Sequence, residues 1–341
     1  MRHEIVTIYD ISKQSGVSIA TVSRVINGNT NVRPKTKKKV LDVIAKCGYT
    51  PNAFARGLGL NTMKTIGILC ADSSDIYLAK AVYFIEQNLR ERGYNSVLSC
   101  TGYDIENKKK ALDMLLSQHV DSVVMIGSNF VEANADDNRY IEDAAANTPV
   151  MLLNADIDCR NVFCTLCDDY KAMQDVTGLL LDKGIRDILY LYNSRSFSGM
   201  RKLAGYQSAY LQRDLPLDKN YQQLFNGARD DVDGVVSMLE RLKKDGLKFH
   251  AVVASDDIMA SAALKFAHAN GISVPEKMQV IGYNNSIITK CCEPELTSVD
   301  NRLETICVQL VKTLVSTLDG EELPQKVVFS GELVRRKSTN I

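Results

Sequence analysis

A basic stretch near the start of the chain carries the side chains with the clearest chemistry. Residues 16–40 read GVSIATVSRVINGNTNVRPKTKKKV, in which Arg24 is followed by a cluster of lysines within residues 35–39. An arginine can donate two hydrogen bonds to one guanine, and a lysine attracts phosphate as a compact point charge. The stretch therefore favours a nucleic-acid partner, and a solvated basic surface is the alternative.

The charge of the whole chain is balanced, but its distribution is not. The 341 residues carry 41 Lys/Arg and 41 Asp/Glu, whereas residues 1–64 carry 11 against 3, a balance of +8. Such asymmetry predicts a basic module that meets a polyanion, joined to an acidic body that does not. The length exceeds one compact core and predicts two or three domains.

Motifs that would indicate catalysis are missing from the sequence. There is no GxGxxG after a strand, no GxxxxGK[ST], no GxSxG and no HExxH. The adjacent carboxylates Asp256 and Asp257 are more typical of a helix N-terminus, where negative charge is favoured. Four histidines are scattered without a Cys or Asp partner at a useful spacing. We expect neither catalytic residues nor a cofactor.

Two cysteine pairs need a separate interpretation. Cys164 and Cys167 have the CxxC spacing of zinc and redox sites, and Cys291 and Cys292 are adjacent. On a predicted strand, however, positions i and i+3 point to opposite faces. We expect reduced core cysteines without a metal, and a metal or thiol sensor is the alternative.

Targeting and membrane signals are also missing from the sequence. The first residues, MRHEIVTIYD, contain no apolar segment of a signal peptide, and no run approaches the roughly 18 apolar residues of a spanning helix. A cytoplasmic protein without a membrane partner is therefore expected.

The first fifty residues contain the start and stop signals of short helices. Thr7 and Asp10 form a capping box, Gly16 supplies a left-handed stop, and Ser18 caps a second helix. Two short helices joined by a tight turn form a helix-turn-helix, with Val17 and Val22 buried between them. In this motif the first residues of the second helix reach base edges, and here they are Ile19, Ala20 and, one turn later, Arg24.

A third helix is predicted from Pro34 to about Gly48. Proline is favoured in the first turn of a helix, and glycine is favoured just after the last. Its apolar positions complete a small core, and we expect them to be Val40, Leu41, Val43 and Ile44.

The segment TIYDISKQSGVSIATVSRVINGNTNVRPKTKKKVLDVIAKCGYTPNAFARGL closely resembles the DNA-binding headpiece of the lactose-repressor (LacI/GalR) family of bacterial transcription regulators. The match is nearly continuous over about fifty residues. The resemblance implies that Ile19, Ala20 and Arg24 read bases. The expected DNA contacts also include Thr7, Ser18, Thr21, Ser23, Asn27, Lys35 and Asn52.

The resemblance also implies that PNAFARGL is a hinge helix that folds on the operator, pairs with its dimer mate and enters the minor groove. Leu58 matches the leucine that the family wedges between base pairs, and Ala55 and Arg56 match its groove-lining residues. Two departures are visible: Arg33 replaces a Ser-type cap, and Gly57 costs the hinge helix about 0.5–1 kcal/mol relative to Ala. We expect a hinge that is less helical than usual away from DNA.

After Lys64, apolar strand-like runs alternate with amphipathic helical stretches. This alternation predicts parallel sheets with helices on both faces, and about 270 residues suffice for two of them. The segments ASDDIMASAAL, GISVPEKMQVIGYNNS and PELTSVD resemble the same family, which implies a periplasmic-binding-protein-like α/β body of two Rossmann-like subdomains, three chain crossovers and a ligand cleft. The predicted boundaries are an all-α headpiece at 1–50, a hinge and linker at 51–64, and a body at 65–341, with a first subdomain at 65–161 and 293–322 and a second at 162–292 and 323–341.

The expected effector site lies at strand ends, where ligands of such sheets bind. Its candidate residues are Asp75, Tyr77, Asn129, Lys202, Arg229, Asp256 and Asn284. By resemblance, Lys202 stands where the family often has Arg, Asn284 where it often has Asp, and Arg229 where it often has an aromatic residue. Two interpretations stay open: a neutral, carbohydrate-like effector, which leads, or an anionic one such as a sugar phosphate or sugar acid.

The predicted function is a ligand-responsive transcription regulator, expected to act as a repressor on double-stranded DNA. A near-palindromic operator with a central CG step follows from the resemblance. No leucine heptad follows KVVFSGELVRRKST, so a homodimer is expected rather than a tetramer. The alternatives are a cytosolic solute-binding module and a small-molecule enzyme with a fused headpiece.

Overall fold

The structure, a computed structural model, describes residues 6–27, 31–49 and 62–341. The chain divides into two compact units, Met1–Thr65 and Ile66–Ile341. Within the described ranges, no helix combines the length and apolar character needed to cross a bilayer.

In the part of the first unit that the structure describes there are three short helices: α1 (Ile8–Ser15), α2 (Ile19–Ile26) and α3 (Pro34–Cys47). The predicted caps are present. The Asp10 carboxylate accepts hydrogen bonds from the backbone N–H and the hydroxyl of Thr7, at 2.8 and 2.7 Å. The Ser18 hydroxyl accepts from the backbone N–H of Thr21 at 3.4 Å. Gly16 adopts φ 61°, so it ends α1 in the left-handed conformation that glycine tolerates best.

The core of this unit joins all three helices. Ile11, Val22, Val25 and Val40 are buried, and other apolar side chains of the three helices pack against them. Leu41 is 45% exposed, so the prediction that it belongs to this core is wrong. The reason is geometric, because one residue along a helix turns the side chain by about 100° away from Val40.

The second unit is built from strands that alternate with helices. The strands are β1 (Thr65–Cys70), β2 (Asn95–Cys100), β3 (Ser122–Ile126), β4 (Val150–Leu153), β5 (Val162–Cys167), β6 (Ile188–Tyr192), β7 (Gln222–Leu224), β8 (Ala251–Ala254), β9 (Gln279–Tyr283), β10 (Thr297–Asp300), β11 (Lys326–Phe329) and β12 (Glu332–Val334). The helices are α4 (Ile76–Glu91), α5 (Ile105–Ser117), α6 (Arg139–Ala145), α7 (Asp169–Asp182), α8 (Phe197–Leu211), α9 (Val232–Lys244), α10 (Asp257–Ala269), α11 (Ile288–Cys291) and α12 (Leu303–Leu318), with 3-10 turns at Ala135–Asn138 and Lys219–Tyr221.

These strands form two sheets, as predicted. The first has the order β11-β5-β4-β3-β1-β2, and the second has the order β12-β10-β9-β8-β6-β7. Neighbouring strands are parallel from β1 through β3, β4 and β5 to β11, and again from β7 through β6, β8 and β9 to β10. Only β12 runs antiparallel to its neighbour, β10, among the pairings described. Buried apolar side chains cover both faces of each sheet, as parallel sheets require.

The predicted subdomain boundaries need correction at all three crossings. Residues 162–167 were assigned to the second subdomain, but β5 pairs with β4 and β11 in the first sheet. Likewise, β10 belongs to the second sheet and β11 to the first, the reverse of the ranges 293–322 and 323–341. The first subdomain therefore contains β1–β5, α12 and β11, and the second contains the elements from α7 to β10 and β12.

The chain crosses between the subdomains after β5, after β10 and after β11, so the number of crossovers agrees with the prediction. The first boundary was misplaced because residues 154–161, between β4 and β5, contain no helix. A parallel connection normally needs a crossover helix, so the broken alternation looked like the start of a new sheet.

Candidate DNA-binding and effector sites

One face of α2 is exposed and chemically suited to base edges. Ile19 is 40% exposed, and Ala20 and Arg24 are exposed beside it. Val22 and Val25 are buried on the opposite face of the same helix. The hydrophobic core therefore fixes which side of α2 points outward, and that side carries the three predicted base-reading residues.

The other predicted DNA contacts differ in exposure. Thr7, Ser18 and Lys35 are exposed, whereas Thr21, Ser23 and Asn27 are half-buried. The hydroxyls of Ser18 and Thr21 are 3.0 Å apart, so both lie at the N-terminus of α2. The predicted hinge residues lie outside the described residues, and they are Asn52, Ala55, Arg56 and Leu58.

The N-terminus of α3 presents the lysine cluster to solvent. Lys35, Lys37, Lys38 and Lys39 are all exposed. Arg33 occupies the N-cap without a side-chain cap hydrogen bond, and Pro34 follows as the first helical residue. The structure therefore shows the same departure from a Ser-type cap that the sequence indicates. The exposed lysines form a basic surface that attracts phosphate groups.

A cleft of about 890 Å³ separates the two subdomains of the second unit. Its walls are formed largely by loops and helix starts that follow the strands, which is where ligands of parallel sheets bind. All seven side chains predicted for the effector site line it: Asp75, Tyr77, Asn129, Lys202, Arg229, Asp256 and Asn284.

On the wall of the first subdomain, Asp75 is the N-cap of α4 and its Oδ1 accepts from the backbone N–H of Leu78 at 3.0 Å. The Tyr77 hydroxyl accepts from Asn154 Nδ2 at 2.5 Å, and burial raises the pKa of this phenol. The backbone of Asn129 is held through its carbonyl oxygen, which accepts from the buried Lys108 ammonium at 2.5 Å.

On the wall of the second subdomain, Asp256 is the N-cap of α10. Its Oδ1 accepts from the backbone N–H of Met259 at 2.9 Å, and its Oδ2 accepts from Asn193 Nδ2 at 2.7 Å. Burial raises the pKa of Asp256. Asn284 adopts φ 95° directly after β9, and its Oδ1 accepts from the buried Asn301 amide at 3.1 Å.

Several side-chain contacts join the walls across the cleft. Arg229 lies 3.5 Å from Asp75 Oδ2, and its guanidinium lies 5.2 Å from the centre of the Tyr103 ring. The Ser128 hydroxyl donates to the Ser196 hydroxyl at 2.8 Å. Because each contact has one partner in each subdomain, all of them depend on the angle between the subdomains.

A buried polar network lies beneath Lys202. The Asp169 carboxylate, 3% exposed, accepts from the Tyr283 hydroxyl and from the Ser198 hydroxyl, both at 2.5 Å. The ring of Tyr283 in turn lies 3.7 Å below the Lys202 ammonium. The network therefore positions Lys202 on α8 through Ser198 of the same helix and through the Tyr283 ring.

Sequence reasoning missed several polar residues of the site. Asn154 and Asn193 each follow a strand, so the rule that located Asp75 and Asn129 also applied to them. Asn301 and Asp169 act on the cleft through other side chains, and their partners are distant in sequence. No local spacing identifies them.

The cysteines form no metal cluster within the described residues. Cys164 and Cys167 lie on β5, as predicted, and both are buried. Burial raises the pKa of Cys164 to about 11 and that of Cys167 to about 12, which disfavours the reactive thiolate.

A small basic helix-turn-helix unit, together with a body of two Rossmann-like subdomains, defines a class of DNA-binding regulators. Two family models match the chain: bacterial regulatory proteins of the lacI family over residues 7–52, and a periplasmic binding protein-like domain over residues 177–339. An HTH-type transcriptional regulator of Lachnoclostridium phytofermentans is 52% identical over 333 residues, which cover 98% of this chain and 99% of that protein.

Catabolite control protein A of Priestia megaterium is 30% identical and covers 95% of this chain and 96% of its own length. The chain therefore belongs to the lacI family of bacterial regulatory proteins, and it is a DNA-binding transcription regulator rather than an enzyme.

Solved structures agree on the architecture. A transcriptional regulator, CelR, in complex with cellobiose is 26% identical with a TM-score of 0.70, covering 98% of this chain and 99% of that one. The lac repressor dimer bound to operator and the anti-inducer ONPF has a TM-score of 0.85 at 23% identity, covering 98% and 99%, and it shows the shared fold.

Proposed function

We propose that the protein is a homodimeric repressor that acts in the cytoplasm and is controlled by a small molecule bound in the cleft. The observation that carries this proposal is the convergence of seven side chains, predicted from the sequence alone, on one cleft with two walls. A ligand that contacts both walls favours one angle between the subdomains over others. It can thereby alter DNA binding at a distant site, and the coupling is reciprocal.

For DNA recognition, we propose that α2 enters the major groove of a near-palindromic operator and that Ile19, Ala20 and Arg24 reach base edges. The remaining headpiece contacts position the protein on the backbone. The hinge residues are proposed to bind the minor groove, with Leu58 wedged between base pairs.

For the effector, we propose a sugar or a sugar derivative. The cleft is rich in amide, hydroxyl and charged side chains, as recognition of a polyol requires. A relative at 26% identity, CelR, is described in complex with cellobiose, which supports a carbohydrate-like class.

A gel-shift titration with the DNA upstream of the protein's own gene tests this proposal. We expect binding to that DNA to exceed binding to a shuffled duplex of equal length and composition. A panel of sugars and sugar derivatives should contain a compound that changes the midpoint of this titration. Equal binding to both duplexes would contradict the proposal that this DNA contains the operator. A titration midpoint that no compound of the panel changes would contradict the proposed control by a small molecule.

A further inference from the structure

Cys70 and Cys100 lie side by side on two adjacent strands of the first sheet. Cys70 is the last residue of β1, and Cys100 is the last residue of β2. The backbone N–H of Thr101 donates to the Cys70 carbonyl oxygen, and that of Gly102 donates to the Ala71 carbonyl oxygen, both at 2.9 Å. The two strands therefore advance in the same direction, with Cys100 directly beside Cys70.

The spacing of the two cysteines suits a covalent bond between them. Residues that are paired on neighbouring strands have Cα atoms about 4.8 Å apart. A disulfide joins cysteines whose Cα atoms are separated by about 4.4 to 6.8 Å. The pair therefore needs no backbone movement to come within reach of a bridge.

Both side chains point to the same face of the sheet. Cys70 belongs to the buried cluster that α4 covers, whereas Val97 of β2 packs against the cluster on the other face, beneath α5. Because side chains alternate along a strand, Cys100 faces the side opposite to Val97, which is the α4 side. Burial raises the pKa of Cys70 to about 11, and the nearby charge of a Cys100 thiolate acts in the same direction.

The two thiols differ in their access to solvent. Cys70 is 0% exposed, whereas Cys100 is exposed. An oxidant in solution therefore reaches Cys100 first, and a sulfenic acid formed beside a second thiol condenses with it. In a reducing compartment such bridges are transient and serve to sense oxidants.

The cysteine pair lies at the base of two loops that contact the other subdomain. The loop after β1 carries Asp75, whose Oδ2 lies 3.5 Å from Arg229, and the loop after β2 carries Tyr103, whose ring centre lies 5.2 Å from the Arg229 guanidinium. The Cys70 thiol also donates to the Asp72 carbonyl oxygen at 3.5 Å, within the first of these loops. A bridge would remove this hydrogen bond and tie the two loops together at their bases.

We propose that Cys70 and Cys100 form a reversible disulfide when the protein meets a peroxide, and that the bridge alters the contacts of Arg229 and thereby DNA binding. Hydrogen peroxide oxidises the Cys100 thiol to a sulfenic acid, its O–O bond breaks and one water leaves. The Cys70 sulfur then attacks the Cys100 sulfur, so the S–S bond forms as the S–O bond breaks. The hydroxide leaves with the Cys70 proton as a second water, and two electrons have passed from the two thiols to one peroxide.

The test treats the reduced full chain with stoichiometric hydrogen peroxide, blocks the free thiols with iodoacetamide and identifies linked peptides by mass spectrometry. We expect a peptide pair joined through Cys70 and Cys100 that dithiothreitol separates again. The operator gel-shift titration is then run on reduced and oxidised protein. Its midpoint should change by about fivefold or more, as coupling between two sites commonly does.

Cys100→Ser should abolish both the bridge and the response of the operator midpoint to peroxide. It should leave the midpoint of the reduced protein unchanged, because Cys100 is exposed and its replacement disturbs no core. Cys291→Ser is the matched control. It removes another exposed thiol, which lies beside Cys292 rather than Cys70, so both the bridge and the response should remain.

Three results would overturn the proposal. One is oxidation that links Cys100 to another cysteine or to a second chain, or that stops at Cys100 without a bridge. The others are a bridge that leaves the operator midpoint unchanged, and a peroxide response that survives Cys100→Ser. The link to DNA binding rests on the proposed function, which the titration of the reduced protein tests by itself, whereas the linked peptides are scored without DNA.

Discussion

At the scale of single residues, Arg24 is the proposed base-reading side chain with strong hydrogen-bond donors, and its neighbours Ile19 and Ala20 offer only apolar contact. Arg24→Ala is therefore expected to cost about 1–3 kcal/mol on the operator and less on random DNA. Fluorescence anisotropy at fixed salt on both duplexes measures the difference.

Lys35→Ala is the matched comparison for Arg24. Because Lys35 is a proposed phosphate contact, the substitution should weaken binding to both duplexes by a similar factor and reduce the salt dependence. If Arg24→Ala behaves in the same way, Arg24 contacts phosphate, and the assignment of base reading to it is wrong.

Asp257 gives a residue-scale prediction about pH. Burial raises its pKa from the ordinary 3.8 to about 6, so between these values the native state binds more protons than the unfolded state. The free energy of unfolding should therefore fall by about 3 kcal/mol in all as the pH rises from 4 to 6. Urea denaturation at pH 4.5, 5.5, 6.5 and 7.5 measures this trend.

Asp257→Asn removes the titration and should flatten the pH dependence by a similar amount. Burial also raises the pKa of Asp256, but Asp256 is present in both proteins. The difference between the two pH profiles therefore reports on Asp257 alone. Parallel pH profiles for the two proteins would show that Asp257 keeps an ordinary pKa.

The candidate effector residues could be predicted because each follows a strand or matches a family segment, which are local properties of the sequence. Orientation could not be predicted in the same way. Whether Asp75 is free or paired depends on Arg229, which lies 154 positions away in sequence. The role of Asn284 depends likewise on Asn301, and only the folded chain brings these pairs together.

At the scale of elements, the packing of α8 against α7 depends on Gly205. A Cβ atom at this position would lie 2.2 Å from the Tyr170 carbonyl oxygen, a backbone atom that cannot move by itself. Gly205→Ala should therefore destabilise the second subdomain by roughly 1–3 kcal/mol, despite the better helix propensity of alanine. Thermal and urea denaturation measure the loss.

Gly178 in α7 is the matched control for this substitution. A Cβ atom there meets the end of the Arg213 side chain at 2.7 Å, and a flexible guanidinium can shift. Gly178→Ala should be nearly neutral or slightly stabilising. Equal losses at the two positions would mean that helix geometry, rather than the backbone contact, decides the cost.

Element order was largely predictable, and sheet membership was not. The alternation of apolar runs with amphipathic stretches predicted the succession of strands and helices, and α9 (Val232–Lys244) is one of those amphipathic helices. β5 was assigned to the wrong sheet because membership depends on pairing with β4 and β11, which are separate segments of the chain. The periodicity of apolar residues indicates which face of a strand is buried, but it does not indicate which other strands pair with it.

At the scale of the whole molecule, the Arg229–Asp75 pair holds the walls of the cleft together. The side chains are 36% and 14% exposed, so the pair should contribute about 1 kcal/mol or less to the closed arrangement. Arg229→Gln is expected to raise the population of open molecules several-fold without effector. Small-angle X-ray scattering should then show a larger radius of gyration.

Arg213→Gln is the control for this comparison. Arg213 pairs with Asp182 at 2.7 and 2.9 Å, but both residues lie in the second subdomain, so its loss should leave the angle unchanged. An unchanged radius for Arg229→Gln would show that the cross-cleft pair does not set the angle.

The order in which the ribosome makes this chain conflicts with the order in which its cores can close. Ile66, Ile68 and Ile85 of the first subdomain are buried by Ile306, Leu310 and other residues of α12, which is made only after the elements of the second subdomain from α7 to β10. At the usual rate of synthesis that interval is on the order of ten seconds. The nascent chain therefore exposes an apolar sheet face during translation, and we expect it to depend on chaperones until α12 has emerged.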